Sequence, residues 1–247
     1  MRGKVLGGNK VILLLSGGVD SICAWRLLGL PQAVNFDLGT VPTQKEHGSL
    51  SWASDHFGKT YIQRDLNMAN HEKKNGYVDF RNALLILAAA QIDSNVALAA
   101  VAEWAPDKNT RFYRRLERAV NRSGVSASFN CKLRVHAPFA AESKGELLAR
   151  YKAKFGSEET RLVLENTWSC YRHEDQHCGE CGGCRQRYAA ERQMHKLTGM
   201  RPVTQFSGVP GEWVTPALDR ARWLFDNGWL GYRQMRAHRL QDAALTL

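Results

Sequence analysis

Two stretches of this chain carry residue types at spacings that can do chemistry. In the first, Ser16-Gly17-Gly18-Val19-Asp20-Ser21 follows the apolar run Val11–Leu15 and precedes a helical run from Ile22 to Leu28. A buried-type strand that empties through glycines into a helix N-terminus makes a phosphate cradle. Glycine lets the backbone approach an anion, the N–H groups point inward, and the helix dipole favours negative charge. Ser16 and Ser21 add hydroxyl donors, while Asp20 can hold a Mg2+ on bound phosphates or cap the helix. The loop is not a Walker A motif, because no Gly-Lys-Ser/Thr follows, and it is not G-x-G-x-x-G. The plain alternative is a glycine turn without a ligand.

The second stretch holds Cys170, Cys178, Cys181 and Cys184, with seven, two and two residues between successive cysteines. Four thiolates suit tetrahedral Zn2+, and a site with no open position is structural. Gly179, Gly182 and Gly183 relieve crowding as the chain turns, and Arg172, Arg185 and Arg187 can offset the thiolate charge. An iron–sulfur cluster takes the same ligand type, and His173 and His177 stand near enough to replace one cysteine. Cys23 and Cys131 read as ordinary thiols, and a disulfide framework is a poor reading of this pattern.

The elements that must position these stretches alternate. Strands are expected at 11–15, 33–37, 60–64, 95–102, 134–138 and 161–165, the last formed by Arg161–Glu165. Helices are expected at 21–28, from Thr43 to Phe57 with Gly58 as terminator, and at 83–92, 110–122 and 143–155. A polar loop spans Asp65–Gly76, and Glu103–Asn109 is a loop at a strand's carboxyl end. Alternation of this kind predicts an α/β fold, a doubly wound, mostly parallel sheet with helices on both faces. Ligands bind such sheets beyond the carboxyl ends of the strands, where Ser16–Ser21, Asp37–Thr40, Glu103–Lys108 and His136–Pro138 would gather.

At 247 residues, 44% of them hydrophobic, the chain can bury one α/β core with a small appended module. The expected organisation is an α/β domain at 1–166, a four-cysteine segment with its following helix at 167–199, and a C-terminal helical cap at 200–247. Trp213, Trp223 and Trp229 would pack that cap. The sequence offers no apolar run of membrane-spanning length, and Met1–Lys10 is glycine-rich and polar rather than signal-like, so the expected location is cytoplasmic. A net charge of +10 attracts polyanions, with arginines gathered at 111–118 and 220–239. No nucleic-acid motif accompanies them, so a solvated basic face is the plainer reading and nucleic acid is not favoured.

The Ser16–Ser21 loop resembles the pyrophosphate loop (PP-loop) of ATP pyrophosphatases, which implies an ATP site. Thr167-Trp168-Ser169-Cys170-Tyr171, followed by Cys178-Gly179-x-Cys181-x2-Cys184-x2-Arg187, resembles the 7-cyano-7-deazaguanine synthase family. So do the PP-loop, Tyr77-Val78 with Arg81-Asn82, Ala137-Pro138 and Lys144-Gly145-Glu146-Leu147, in the family's order over roughly Val11 to Ala190.

The resemblance implies an adenine nucleotide alpha hydrolase-like fold with a small zinc knot, and an AMP-forming C–N ligase using ATP, Mg2+ and Zn2+. Its substrates would be 7-carboxy-7-deazaguanine and ammonia. The carboxylate is adenylated and amidated, and the amide is adenylated again and loses AMP to give the nitrile. The implied ATP residues are Ser16, Gly17, Gly18, Val19, Asp20, Ser21, Phe36 and Asp37, and the implied catalytic set is Ser16, Asp20, Ser21, Arg81 and Lys144. Asn82 would line the site, and Asp107 would be a second metal ligand. Arg81 and Asn82 have helix capping as their plainer role.

The chain also departs from the family's pattern. Where the family carries a Tyr-Pro-Asp-Cys-Arg-like stretch, this chain reads Ala105-Pro106-Asp107-Lys108-Asn109-Thr110-Arg111-Phe112-Tyr113. Asp79-Phe80 replaces the usual Pro-Gly before Arg81. These departures leave open a relative that stops at the amide or passes the activated deazapurine to another amine, including one on a protein. A PP-loop tRNA-modifying enzyme and a zinc-stabilised nucleotide sensor are the remaining alternatives, and a homodimer is open.

Overall fold

The structure, a computed structural model, describes residues 11–73, 78–101, 107–123, 132–172 and 176–207. A five-stranded parallel sheet runs in the order β3-β2-β1-β4-β5, with β1 at Ile12–Leu14, β2 at Ala33–Asp37, β3 at Ile62–Asp65, β4 at Asn95–Leu98 and β5 at Arg134–His136. Every described pairing is parallel, with Leu14 opposite Val34 on one side and Leu98 on the other. The order reverses between β1 and β4, and parallel sheets open a ligand crevice at such a switch.

Alternation along β1 builds the two cores. Leu13 and Leu15 face α1 (Val19–Leu27), α2 (Val41–Phe57), α5 (Lys144–Phe155), α6 (Ser157–Asn166) and α7 (Gly182–Thr198). Ile12 joins Val34, Phe36, Val96 and Leu98 on the opposite face, under α3 (Arg81–Ala90) and α4 (Thr110–Arg122). Strands buried on both faces must be apolar throughout, and this is why β1 reads as a continuous hydrophobic run. Trp25 is wholly buried, with its indole N–H donating to the Pro31 carbonyl at 3.0 Å.

One element differs from expectation. Arg161–Glu165, expected as a strand, lies inside helix α6. Its apolar run is too short for periodicity to separate strand from helix. The helix is favoured by Glu158 and Glu159 in its first turn, by Arg161 bridging Glu158 and Glu165 one turn to either side, and by Thr160, Val163 and Leu164 on one buried face. The strand expected at 95–102 is shorter, ending at Leu98. The polar stretch after β3 contains a 3-10 turn at Ala69–His71. Cys131, His173, the 102–106 part of the expected loop and the cap residues from 208 onward lie outside the described residues.

Helix α7 follows the cysteine segment and packs closely on α5, where an added Cβ at Gly145 would stand 2.5 Å from the Gln193 side chain. Ser143 caps α5 in a reciprocal box with Glu146, and its hydroxyl also donates to Gln193. That box sets the first turn of α5, and with it Lys144, at the edge of the sheet's carboxyl end.

Candidate active-site cleft and metal centre

A cavity of about 230 Å³ opens beyond the carboxyl ends of β1, β2 and β4. Ser16, Gly18, Val19, Asp20 and Ser21 form its floor, and Phe36, Arg81, Asn82 and Lys144 line it as well. The loop braces itself. Ser21 Oγ accepts the Ser16 N–H at 2.9 Å, and Ser16 Oγ accepts the Gly18 N–H at 3.4 Å. Asn35 Nδ2 donates to the Leu15 carbonyl at 2.9 Å and pins the end of β1 to β2. No side chain caps α1 at Gly18. The first N–H groups of a helix have no partner within it, and here they belong to cleft-lining Val19 and Asp20.

Gly17 does not line the cleft; it lies against α2. A Cβ there would stand 2.3 Å from the Glu46 carbonyl oxygen, so only glycine admits this approach. Asp37 also stays outside the lining. Its Oδ1 accepts the Gly39 N–H at 2.8 Å and its Oδ2 lies 3.6 Å from His47 Nε2. Asp20 does not cap α1 but pairs with Lys144 at 2.9 Å, with side-chain exposures of 17% and 13%. An ion pair this enclosed keeps much of its Coulomb attraction. Asp20 is a hard carboxylate beside a phosphate cradle, and this donor type fits a Mg2+ carried on phosphate oxygens. Arg81 and Asn82 begin α3 without capping it, since the residue before them, Phe80, holds φ 57° and makes no side-chain cap bond.

Glu46, Thr43 and Tyr113 reach the cavity with no local signal of their own, while Thr40 and Lys108 arrive on the strand-end loops expected there, and Trp168–Tyr171 also line it. Burial raises the Glu46 carboxyl to about 7, while Arg81 and Lys108 pull it back. The Trp168–Tyr171 segment was recognisable as a motif, but not as a wall of the cleft. Asp107 does not line the cavity. It is buried, and neither carboxylate oxygen has a hydrogen-bond partner among the described residues.

The four cysteine sulfurs lie within 4.8 Å of one another. Cys178 Sγ and Cys184 Sγ are 3.9 Å apart, as are Cys170 Sγ and Cys181 Sγ. A disulfide needs about 2.05 Å, whereas sulfurs about 2.3 Å from a tetrahedral ion stand roughly 3.8 Å from each other. The set therefore fits a four-coordinate metal ion. The N–H groups of Tyr171, Arg172, Cys181 and Cys184 each donate to a cluster sulfur at 3.4 Å. A hydrogen bond from the Cys184 thiol and the N–H donors of Tyr171 and Cys184 draw the Cys181 thiol down to about 4, against its burial. His177 is not one of the clustered groups. Its ring packs on Trp168 and Phe206 at 4.6 and 5.9 Å, and burial lowers it to about 4.

The metal centre and the phosphate loop share a wall. The Trp168 N–H donates to the Gly17 carbonyl at 3.3 Å, and the Trp168 indole N–H donates to the Cys170 carbonyl at 2.8 Å. An added Cβ on Gly183 would overlap the Ser169 carbonyl, at 1.9 Å. Beneath this strap Arg187, 1% exposed, donates to the carbonyls of Thr167 and Leu164, to Thr204 Oγ1 and to Glu191.

A profile of the family described as Queuosine biosynthesis protein QueC matches residues 44–195, which contain Glu46, Arg81, Lys144 and all four clustered cysteines. The chain is 29% identical over 176 residues to a 7-cyano-7-deazaguanine synthase of Campylobacter concisus, covering 68% of this chain and 71% of the relative. It is 27% identical to the synthase of Rhizobium rhizogenes, over 83% of this chain and 95% of the relative. The synthase of Aquifex aeolicus is 27% identical, over 74% and 97%. These alignments, the parallel sheet and the cysteine cluster beside its switch point agree, and the chain belongs to the Queuosine biosynthesis protein QueC family.

Proposed function

We propose that the protein uses ATP to activate the 7-carboxylate of 7-carboxy-7-deazaguanine and carries it through the amide to 7-cyano-7-deazaguanine. The observation that carries this reading is the shared cleft: a PP-loop on one wall and the four-cysteine strap on the other, in a member of this family. In each round a substrate oxygen attacks the α-phosphate and pyrophosphate leaves. Ammonia then displaces AMP from the acyl adenylate to give the amide. In the second round the adenylated amide loses AMP and two protons to give the nitrile.

The chain's own groups supply positioning and charge. N–H groups of Gly18, Val19 and Asp20 receive the phosphates, with Ser16 and Ser21 holding the loop's shape. Gly17 seats the loop on α2, while Phe36, with Asp37 behind it, borders the nucleoside. Lys144 leaves Asp20 to meet the phosphate anion, and Arg81 neutralises the carboxylate or phosphate from the opposite wall, next to Asn82. Asp20 would hold Mg2+, which offsets charge on the departing pyrophosphate. Glu46 accepts a proton from the incoming amine. Cys170, Cys178, Cys181 and Cys184 would hold Zn2+, whose contribution is structural. The division at 166 and 199, with a cap over 200–247, is the organisation we propose for the chain, acting as a cytoplasmic enzyme.

A second reading keeps the activation and changes its end point. Lys108 lines the cleft directly after Pro106-Asp107, where the family's pattern has cysteine. This altered wall favours an amide product or transfer of the activated group to another amine.

Mass spectrometry of purified protein with 7-carboxy-7-deazaguanine, MgATP and ammonium tests both readings. Nitrile with AMP and pyrophosphate supports the first, and amide or conjugate with AMP supports the second. Absence of AMP overturns both. Lys144→Ala and Asp20→Asn should each lower kcat/KM by about 100-fold, the usual scale for one lost charge-stabilising group.

A further inference from the structure

The wall of the cleft built by β2 and the start of α2 holds acceptor oxygens that phosphate binding does not use. Thr40 Oγ1 and Thr43 Oγ1 are 2.8 Å apart, and both residues are buried cleft-lining ones. Thr40 stands at the N-cap of α2, where a threonine hydroxyl ordinarily accepts a backbone N–H of the first turn. It makes no such bond, and its hydroxyl meets that of Thr43 instead. One proton serves the pair, which leaves lone pairs on both hydroxyls for a further donor. Asn35 lines the same cleft and is 3% exposed. Its Nδ2 is committed to the Leu15 carbonyl, and its Oδ1 has no partner among the described residues.

Glu46 belongs to the same wall. It follows Thr43 by three residues on α2, so the two share a helix face, and both line the cleft. An added Cβ on Gly17 would stand 2.5 Å from the Glu46 Cα, so this carboxylate springs from the turn that rests on the phosphate loop. Arg81 of α3 and Lys108, ahead of α4, are the cations that act on it. Asp20, the other acid that lines the cleft, pairs with Lys144.

A set of acceptors calls for a ligand that only donates. Ammonium has four N–H donors, no acceptor and the charge that a carboxylate attracts. We propose that Asn35, Thr40, Thr43 and Glu46 form a subsite for ammonium beside the phosphate loop. The inference rests on the proposed function and names the form in which its nitrogen binds. Arg81 and Lys108 repel a cation from the empty cleft, whereas bound ATP and substrate carboxylate offset them, so ammonium enters last. Glu46 takes one proton from ammonium, and the freed lone pair forms the C–N bond to the acyl carbon. The C–O bond to AMP breaks, AMP leaves with the electron pair, and the second proton passes to solvent. Burial raises the Glu46 carboxyl to about 7, which makes it a stronger base than an ordinary carboxylate.

Initial rates of amide and nitrile formation test this with saturating MgATP and 7-carboxy-7-deazaguanine, varied ammonium and constant ionic strength, at pH 7.5 and 8.5. Ammonium predominates and Glu46 is mostly ionised at both values, so KM for total ammonium should change less than about twofold. A subsite for neutral ammonia would instead lower that KM nearly tenfold over the same step, and this result overturns the proposal. Thr43→Val should raise KM for ammonium about tenfold, more than it raises KM for MgATP, and Thr43→Ser should restore it. An equal rise in both constants marks a nucleotide contact and overturns the subsite. Glu46→Gln should slow amidation by ammonium about 100-fold while still releasing AMP with hydroxylamine, which is neutral at this pH and needs neither a cation subsite nor a base. Loss of the hydroxylamine reaction as well would place Glu46 in adenylation and overturn its role here. AMP release that is independent of ammonium also overturns the subsite and leaves ATP activation standing. No AMP under any condition overturns the proposed function, and the subsite with it.

Discussion

The backbone N–H of Trp168 donates to the carbonyl of Gly17 at 3.3 Å, which joins the segment leading into the metal centre to the loop that floors the cleft. Cys170 follows two residues later, and the Trp168 indole closes back onto its carbonyl. The shape of the phosphate loop is thereby coupled to the order of the cysteine cluster. A structural metal can act on nucleotide binding through this strap without touching the nucleotide.

Metal loss should therefore register twice. Cys178→Ser, or exhaustive chelation, is expected to lower the melting temperature and to weaken binding of a non-hydrolysable ATP analogue about tenfold or more. Differential scanning fluorimetry and calorimetric titration read the two effects. A protein that loses its metal and still binds the analogue normally would break the proposed coupling.

Arg187 and Glu191 are each 1% exposed and lie 3.1 Å apart. Glu191 also accepts the N–H groups of Val203 and Thr204 at 2.7 and 2.9 Å, so the pair ties α7 to the strap and to the chain that follows. Burial lowers the Arg187 pKa, and Glu191 opposes that effect. Arg187→Met leaves a buried carboxylate without its cation and should cost about 3–5 kcal/mol in urea unfolding. A loss below about 1 kcal/mol would show that the network contributes little.

Glu46 gives stability a pH dependence. Its carboxyl stands near 7 in the fold against 4.5 ordinarily, chiefly through burial. Between those values the folded state binds a proton that the unfolded state has lost, so stability falls as pH rises. The contribution is complete below about pH 4.5 and is lost as pH passes 7, an effect of about 3 kcal/mol. Chemical denaturation from pH 5 to 8 should show this decline in the wild type, and Glu46→Gln should flatten it.

Phe80 adopts φ 57° and is 76% exposed immediately before Arg81. The left-handed conformation costs a non-glycine residue about 1–2 kcal/mol, and glycine gives back roughly half of that through its unfolded-state freedom. Phe80→Gly is expected to raise the unfolding free energy by about 0.5–1 kcal/mol. A drop in melting temperature would mean that the ring has a packing role its exposure does not suggest.

What the sequence determined by itself is local. The strand–glycine–helix passage at 11–28 and the four cysteines at 170–184 declare their chemistry within a few residues, because cradle and metal knot are built from neighbours in the chain. The alternation of elements likewise implied the parallel sheet. Tertiary structure decided what depends on distant segments meeting. Gly17 against Glu46, Trp168 on Gly17 and Lys144 on Asp20 join parts of the chain with no mutual spacing signal. The same limit explains Arg161–Glu165, where a short apolar run fits strand or helix and flanking charges with one-sided burial select the helix. Asp37, a strand-end carboxylate expected toward the nucleotide, is drawn instead to Gly39 and His47 by contacts that only the folded loop creates.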